Sequence, residues 1–301
     1  MNYLTFPGCS LRTTGRAYEE SMESVFDAMG IGLKELDDWN CCGATNYMSI
    51  DETEAFALAA RNLALAEQQG EGTNGSSTEL IAPCNACYLV LSKTQRYMNE
   101  HSDLNERVTK ALNTAGLPYT GKTRVRHPID VIVNDIGLDT VAKSVKVKLG
   151  GLKVACYYGC QIVRPFAEFD HPHYPTIMEK LVKALGGEPI DWPLRTRCCG
   201  GSLIGTIPST GFRLIRALLK DATRRGAQVV ITCCPLCQFN MECYQDEINK
   251  KFNESIDIPV AYFTQLMGVA FGLPEKAIGL QRLFKPLPKI GAEKKGEAVH
   301  A

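Results

Sequence analysis

The chain reads "DWNCCGATN" at 38–46 and, much later, "DWPLRTRCCGG" at 191–201. Adjacent thiols are a hazard in a soluble protein unless something holds both, and here the pair is met twice. The repetition extends outward from it. Gly8-Cys9 precedes the first pair and Gly159-Cys160 the second. "CNAC", from Cys84 to Cys87, follows the first, and "CPLC", from Cys234 to Cys237, follows the second. A polar stretch, "QQGEGTNGSSTE" (68–79), reads as a surface insertion that lengthens the first half.

The secondary-structure pattern repeats with the cysteines. "NYLTF" (2–6) and "LKVACYY" (152–158) have strand composition and end at the Gly-Cys. "AYEESMESVFDAM" (17–29) and "YPTIMEKLVKALGG" (174–187) are helical, the second with a glycine pair suited to a C-cap. A short strand then leads to Asp-Trp and Cys-Cys-Gly in each half. "DETEAFALAARNLALAEQQ" (51–69) and "STGFRLIRALLKDATRRG" (209–226) are the clearest amphipathic helices. "ELIAPC" (79–84) and "QVVITCC" (228–234) are buried-type strands, each running into its Cys-x-x-Cys and another helix.

Each half therefore reads β-α-β-α-β-α, an α/β unit with a small parallel sheet flanked by helices. The expectation is two pseudo-symmetric domains, 1–140 and 141–285, joined through "GLPYTGKTRVRHPIDVIVNDIG" (116–137). The Lys-rich tail, 286–301, is expected to be mobile. Sites in such sheets lie beyond the carboxyl ends of the strands. All three cysteine groups of each half fall there.

Composition narrows the chemistry. The chain has 301 residues, 45% hydrophobic and 22% charged, with 33 basic and 33 acidic side chains. That balance leaves no basic footprint for nucleic acid. No segment has the length and apolarity of a membrane span, and the N-terminus lacks the features of an export signal. The expected location is cytoplasmic, without direct membrane insertion. Thirteen cysteines are the outlier. In a reducing compartment an odd, unexported set points to metal or redox chemistry rather than disulfides.

Four readings of the cysteines compete. Buried core thiols suit Cys156 and Cys233, in strand-like runs, and Cys243 on a helix. Structural zinc takes four ligands, whereas each half offers five. A thioredoxin-like dithiol fits "CNAC" at a strand–helix junction but leaves six repeated cysteines idle. Iron–sulfur clusters contain several metal atoms, so neighbouring cysteines can serve different irons of one cluster.

The doubled Cys…Cys-Cys-Gly…Cys-x-x-Cys arrangement resembles the CCG domain. Two such domains in one chain resemble the heterodisulfide reductase component known as HdrB. "PGCS" (7–10), "YYGC" (157–160) and "RCCGG" (197–201) carry the closest local likeness. The resemblance implies two noncubane 4Fe–4S clusters, one per domain. By position, the first set is Cys9, Cys41, Cys42, Cys84 and Cys87. The second is Cys160, Cys198, Cys199, Cys234 and Cys237. Cys160 is preferred to Cys156 because it follows glycine, and Cys234 to Cys233 because it completes a Cys-x-x-Cys. The implied activity is reduction of a disulfide, such as the coenzyme M–coenzyme B heterodisulfide, between the clusters, with Cys41, Cys42, Cys198 and Cys199 at the chemistry.

Substrates of that family are anionic thiols, so cations near the cysteines are of interest: Arg12, Arg164, Arg195 and Arg197. His171 and His173 could deliver protons to a leaving thiolate. Each also has a plain reading, as loop cations and turn histidines. Trp39 and Trp192 each precede a Cys-Cys-Gly and read as core anchors. "GLPYTGKT" (116–123) matches a P-loop pattern, but a helical stretch precedes it and an extended one follows, the reverse of what a P-loop needs. The chain has no ferredoxin-type cysteine run and no dinucleotide fingerprint. The resemblance therefore implies a ferredoxin-like partner subunit with two cubane 4Fe–4S clusters. It also implies a flavin-containing subunit and, behind them, hydrogenase or formate dehydrogenase modules. Related chains in sulfur-oxidising, acyl-CoA-reducing and hydroxy-acid-oxidising complexes keep open a second class, an electron-transfer subunit with another substrate or none.

Overall fold

The computed structural model describes residues 1–44, 47–70 and 78–290. Most of the inferred insertion at 68–79, and the tail from 291, lie outside the described residues. Two four-stranded parallel sheets form the framework. In the first, β1 (Asn2–Thr5) lies between β2 (Gly32–Glu35) and β3 (Thr78–Ile81), with β4 (Thr123–Arg126) beyond β3. In the second, β5 (Lys153–Tyr157) lies between β6 (Glu188–Pro189) and β7 (Val229–Thr232), with β8 (Val260–Tyr262) beyond β7.

The strand order is the same in both, and it reverses at the β1–β3 and β5–β7 pairs. In doubly wound sheets such a reversal opens a crevice at the strand carboxyl ends, because the following loops diverge to opposite faces. Gly8-Cys9 follows β1 and Cys84 follows β3, so the two motifs stand at that opening. Gly159-Cys160 and Cys234 do the same after β5 and β7.

Among the helices are α1 (Arg16–Ala28), α2 (Glu52–Gly70), α3 (Asn85–Glu100), α4 (Ser102–Thr114), α5 (Ile177–Ala184), α6 (Pro208–Arg224), α7 (Pro235–Cys243) and α8 (Phe263–Ala270). The repeated helices fall where the periodicity places them, with ends shifted by a few residues. The stretch after 123 departs from the extended reading. It is a strand only to Arg126; Pro128 then opens a helical run at its first turn, where a missing N–H costs nothing. The run continues through a π-type segment at 131–137 into a helix at Leu138–Ser144.

The two largest of the three cores each draw on both halves, while a third, around Phe56, Met98 and Val108, lies in the first. Tyr18 of α1 stacks on Tyr262 at the end of β8, ring centroids 4.5 Å apart and ring planes nearly parallel. Ser21 of α1 and Thr264 of the helix that follows β8 share a buried hydrogen bond of 2.6 Å. Phe26, Tyr158, Phe263 and Met267 join this cluster, while Phe6, Leu36, Tyr157 and Trp192 join a second one that also draws on both sheets. Such stacking adds about 0.5–1.5 kcal/mol beyond burial. The tail is docked where it is described. Phe284 N–H donates to Glu242 Oε1 at 3.1 Å, and Leu287 and Ile290 pack against the first core.

Candidate metal centres

The ten repeated cysteines come together in two sets of five at the strand ends. Gly8 and Gly159 are what let them close. Both hold left-handed backbone, φ +62° and +71°. A Cβ on Gly8 would stand 3.1 Å from Cys87 Sγ, and one on Gly159 would stand 3.3 Å from Cys237 Sγ. Any side chain there would occupy the space beside the sulfurs. Cys84 and Cys234 are the N-cap residues of α3 and α7, with Cys87 and Cys237 in the first turns. The positive helix ends face these thiols, yet only Cys84 is drawn down, by hydrogen bonds from Cys234 and Cys87, while Cys87, Cys234 and Cys237 are pushed up.

Cys42 Sγ lies 3.2 Å from Cys87 Sγ, and Cys199 Sγ lies 3.4 Å from Cys237 Sγ. Cys41 contacts Cys42, Cys84 contacts Cys87, and Cys9 lies within electrostatic range of Cys41. In the second set Cys160 contacts Cys198, and Cys234 contacts Cys237. Cys84 and Cys234 also contact each other, so the sets meet across the two halves. Each set has a buried floor, Cys42, Cys84 and Cys87 or Cys199, Cys234 and Cys237. Each has a rim: Cys9 and Cys41 are exposed in the first, and in the second Cys198 is exposed and Cys160 half-buried.

Electrostatics within the sets favours one thiolate beside each neutral neighbour. Hydrogen bonds from Cys41 and then Cys87 draw the Cys42 thiol down to about 4, while Cys41 is pushed up by its bond to Cys42. A hydrogen bond from Cys160 draws Cys198 down to about 6, and Cys160 is pushed up in turn. Among the described residues no three His, Cys, Asp or Glu side chains are placed to hold a single metal ion. The sulfurs run in linked pairs rather than around one point. Five thiols per set fit a polynuclear iron–sulfur group, in which neighbouring thiolates serve different irons.

The remaining cysteines stand apart. Cys156 on β5 and Cys233 face the core opposite to the sets. Cys233 donates toward Asn85 Oδ1 at 3.5 Å. Cys243, half-buried at the end of α7, has its thiol pushed up to about 12 by burial. The cations divide as well. Arg12 is ion-paired to Glu19 at 2.9 Å and also to Glu35. Arg195 is buried on Glu179 at 2.8 Å and Asp191 at 2.7 Å. Arg164 donates to the Thr196 carbonyl, and Arg197 is exposed beside Cys198.

His171 and His173 are exposed. His171 Nδ1 accepts the backbone N–H of His173 at 3.1 Å and of Tyr174 at 3.0 Å, the turn role. Trp192 is fully buried, 5.7 Å from the Tyr157 ring, and Trp39 stands edge-on to Phe6 at the same distance. Both anchor the floor beneath a glycine. Two residues escaped the sequence reading. Asn85, inside "CNAC", reaches across the halves to the Tyr158 carbonyl at 2.8 Å. Asn240, one turn beyond "CPLC", lies against Cys199. Their positions in and after the Cys-x-x-Cys were the available signal.

Comparison with known proteins agrees with this architecture. The cysteine-rich domain profile, CCG, matches residues 3–92 and 154–242. The 8-methylmenaquinol:fumarate reductase membrane anchor subunit of Wolinella succinogenes is 30% identical over 95% of this chain and 98% of its own. An HdrB-like heterodisulfide reductase protein of Archaeoglobus profundus is 31% identical over 93% of this chain and 94% of its own. A crystal structure of a hypothetical protein from Helicobacter pylori superposes with TM-score 0.74 at 14% identity. It covers 95% of this chain, which spans 52% of that protein. Among the described residues no helix is long and apolar enough to cross a membrane.

Proposed function

Because the chain belongs to the CCG cysteine-rich domain family, with HdrB-like heterodisulfide reductase proteins among its relatives, we propose that it is the disulfide-reducing iron–sulfur subunit of a heterodisulfide reductase-like complex. Cys9, Cys41, Cys42, Cys84 and Cys87 hold one noncubane 4Fe–4S cluster in residues 1–140. Cys160, Cys198, Cys199, Cys234 and Cys237 hold the other in residues 141–285. When bound, such clusters supply one-electron transfer and iron with affinity for sulfur.

The chain's own residues do the rest. The buried thiols anchor each group from beneath. The rim thiols Cys9, Cys41, Cys160 and Cys198 leave its outer side open to a small molecule. Arg197 and Arg164 lie near the second rim and attract an anionic thiol or disulfide. His171 has Nδ1 occupied by two backbone donors, so its proton sits on Nε2, the atom able to protonate a departing thiolate. The observation that carries the reading is the contact of the two five-thiol sets at Cys84 and Cys234 beneath partly open rims. Electrons come from a ferredoxin-like subunit with two cubane 4Fe–4S clusters and, behind it, a flavin-containing subunit.

A second reading is an electron-transfer subunit that never meets the substrate. The Wolinella relative favours it, being named for a quinol:fumarate reductase. Mixing anaerobically reduced protein with the coenzyme M–coenzyme B heterodisulfide separates the two. The catalytic reading expects reoxidation with release of two thiols per disulfide. Reoxidation by a ferredoxin-type acceptor alone, with no thiol released, selects the relay.

A further inference from the structure

The two sets share a plan but not their surroundings. Asn240, at the third position after Cys237, is fully buried, 1% exposed. Its Nδ2 donates to the Gly201 carbonyl at 2.9 Å, and its second hydrogen faces the Cys199 carbonyl at 3.4 Å and Cys199 Sγ at 3.8 Å. The position equivalent to Asn240, third after Cys87, is Val90, also buried, with no polar atom to offer. Both Cys-Cys-Gly loops direct backbone N–H groups at their cysteines: Gly43 and Ala44 in the first, Gly200 and Gly201 in the second. Among the described residues, Asn240 is thus a side-chain donor added to the second set alone.

Charge differs in the same direction. The residues before Cys41 include Asp37 and Asp38, and Arg61 neutralises only the latter. Before Cys198 stand Arg195 and Arg197, and Arg164 reaches the same loop through the Thr196 carbonyl. Arg195 is engaged by Glu179 and Asp191. Arg197 and Arg164 remain beside the second set. Donors to cluster sulfurs and nearby cations stabilise the more negative, reduced state and raise the potential. Burial acts the other way, since Cys160 is half-buried where Cys9 is exposed. That difference is one rim thiol, against an added donor and two cations.

Resting on the cluster reading above, we propose that Asn240 is a positioning residue that makes the second site, Cys160 to Cys237, the more oxidising of the two. The first site, Cys9 to Cys87, receives an electron from an iron–sulfur donor, which is oxidised by one. That electron passes to the second site through the Cys84–Cys234 contact. No bond forms or breaks in the transfer.

The test is a reductive EPR titration of the anaerobically purified chain and of Asn240→Val, which installs the first site's residue, after iron has been counted in each. The two signals are assigned with Cys42→Ser, which loses the first site's signal. The expected result is full iron in Asn240→Val and a fall in the second site's potential only. A tenfold change in its one-electron equilibrium corresponds to about 59 mV. Asn240→Ser, which keeps a donor, should recover part of the shift. Val90→Asn should raise the first site's potential in the reciprocal sense. With iron intact, an unmoved second signal in Asn240→Val, or a wild-type first site already the more oxidising, overturns the assignment. Absence of iron from the wild-type chain would instead sink the cluster reading itself.

Discussion

Replacing Gly8 by alanine tests whether the space beside the sulfurs is what the glycine protects. Gly8 and Gly30 both hold left-handed backbone, φ +62° and +73°, so each alanine carries a similar strain of about 1–2 kcal/mol. Their surroundings differ. Nothing lies within 4 Å of a Cβ built on Gly30. On Gly8 the Cβ meets Cys87 Sγ at 3.1 Å and the Phe6 ring at 3.3 Å, inside the ~3.5–4.0 Å optimum of carbon contacts. Cys87 and Phe6 are both buried and cannot give way. Crowding of this kind adds about 1–3 kcal/mol. Gly8→Ala should therefore cost about 2–5 kcal/mol in total, against about 1–2 for Gly30→Ala.

The assay is urea unfolding of anaerobic protein together with its iron content. Gly30→Ala should keep full iron with a modest drop in midpoint. Gly8→Ala should drop further and lose about half its iron, the share of the first set. Equal midpoints and equal iron in the two variants would refute the crowding argument.

Other predictions follow from single contacts. Cys42→Ala should halve the bound iron, whereas Cys243→Ala, outside both sets, should leave it intact; iron analysis of the two decides. Asn85→Ala leaves the buried Tyr158 carbonyl without its donor and should cost about 1–3 kcal/mol in denaturant unfolding. Burial pushes the Glu242 carboxyl up to about 7. The folded chain then holds a proton that the unfolded chain releases. The stabilisation is complete below the unfolded value near 4.5 and is lost as pH rises through about 7. Glu242→Gln should flatten that decline in a stability–pH series, and an unchanged slope would show that Glu242 is not its source.

Much of the framework was legible because cysteine spacing and hydrophobic period repeat together. β1, β3, β5 and β7 are short apolar runs bounded by turn residues, and α2 and α6 carry long amphipathic stripes. The fourth strand of each sheet was not legible as such: the stretch holding β4 reads as extended, but nothing in it places a fourth strand in the sheet. β4 is "TRVR", with cationic side chains at alternate positions, and Arg126 is buried against Asp130 four residues on, Asp135 at 2.9 Å and Glu79 of β3 at 3.2 Å. β8 is three apolar residues running into α8 without a break, so its period cannot be separated from the helix. The shared core was equally hidden. Tyr18 looks like any apolar residue on α1, and nothing local says that it stacks on Tyr262.

At the site, residue identity and spacing distinguished Cys234 from Cys233, whose side chains point into different cores. They did not separate Arg195, buried in ion pairs, from Arg197, exposed two residues later. That difference arises from Glu179 on α5, which only the fold brings near.

The central claim is that each set of five cysteines holds one multi-iron cluster. Iron and acid-labile sulfide, measured on anaerobically purified protein with EPR on the same sample, test it most directly. Roughly eight irons per chain, matching labile sulfide, and signals from two distinct clusters are the expected result. About one zinc per set, with no labile sulfide, would contradict it and reduce the repeats to structural metal sites.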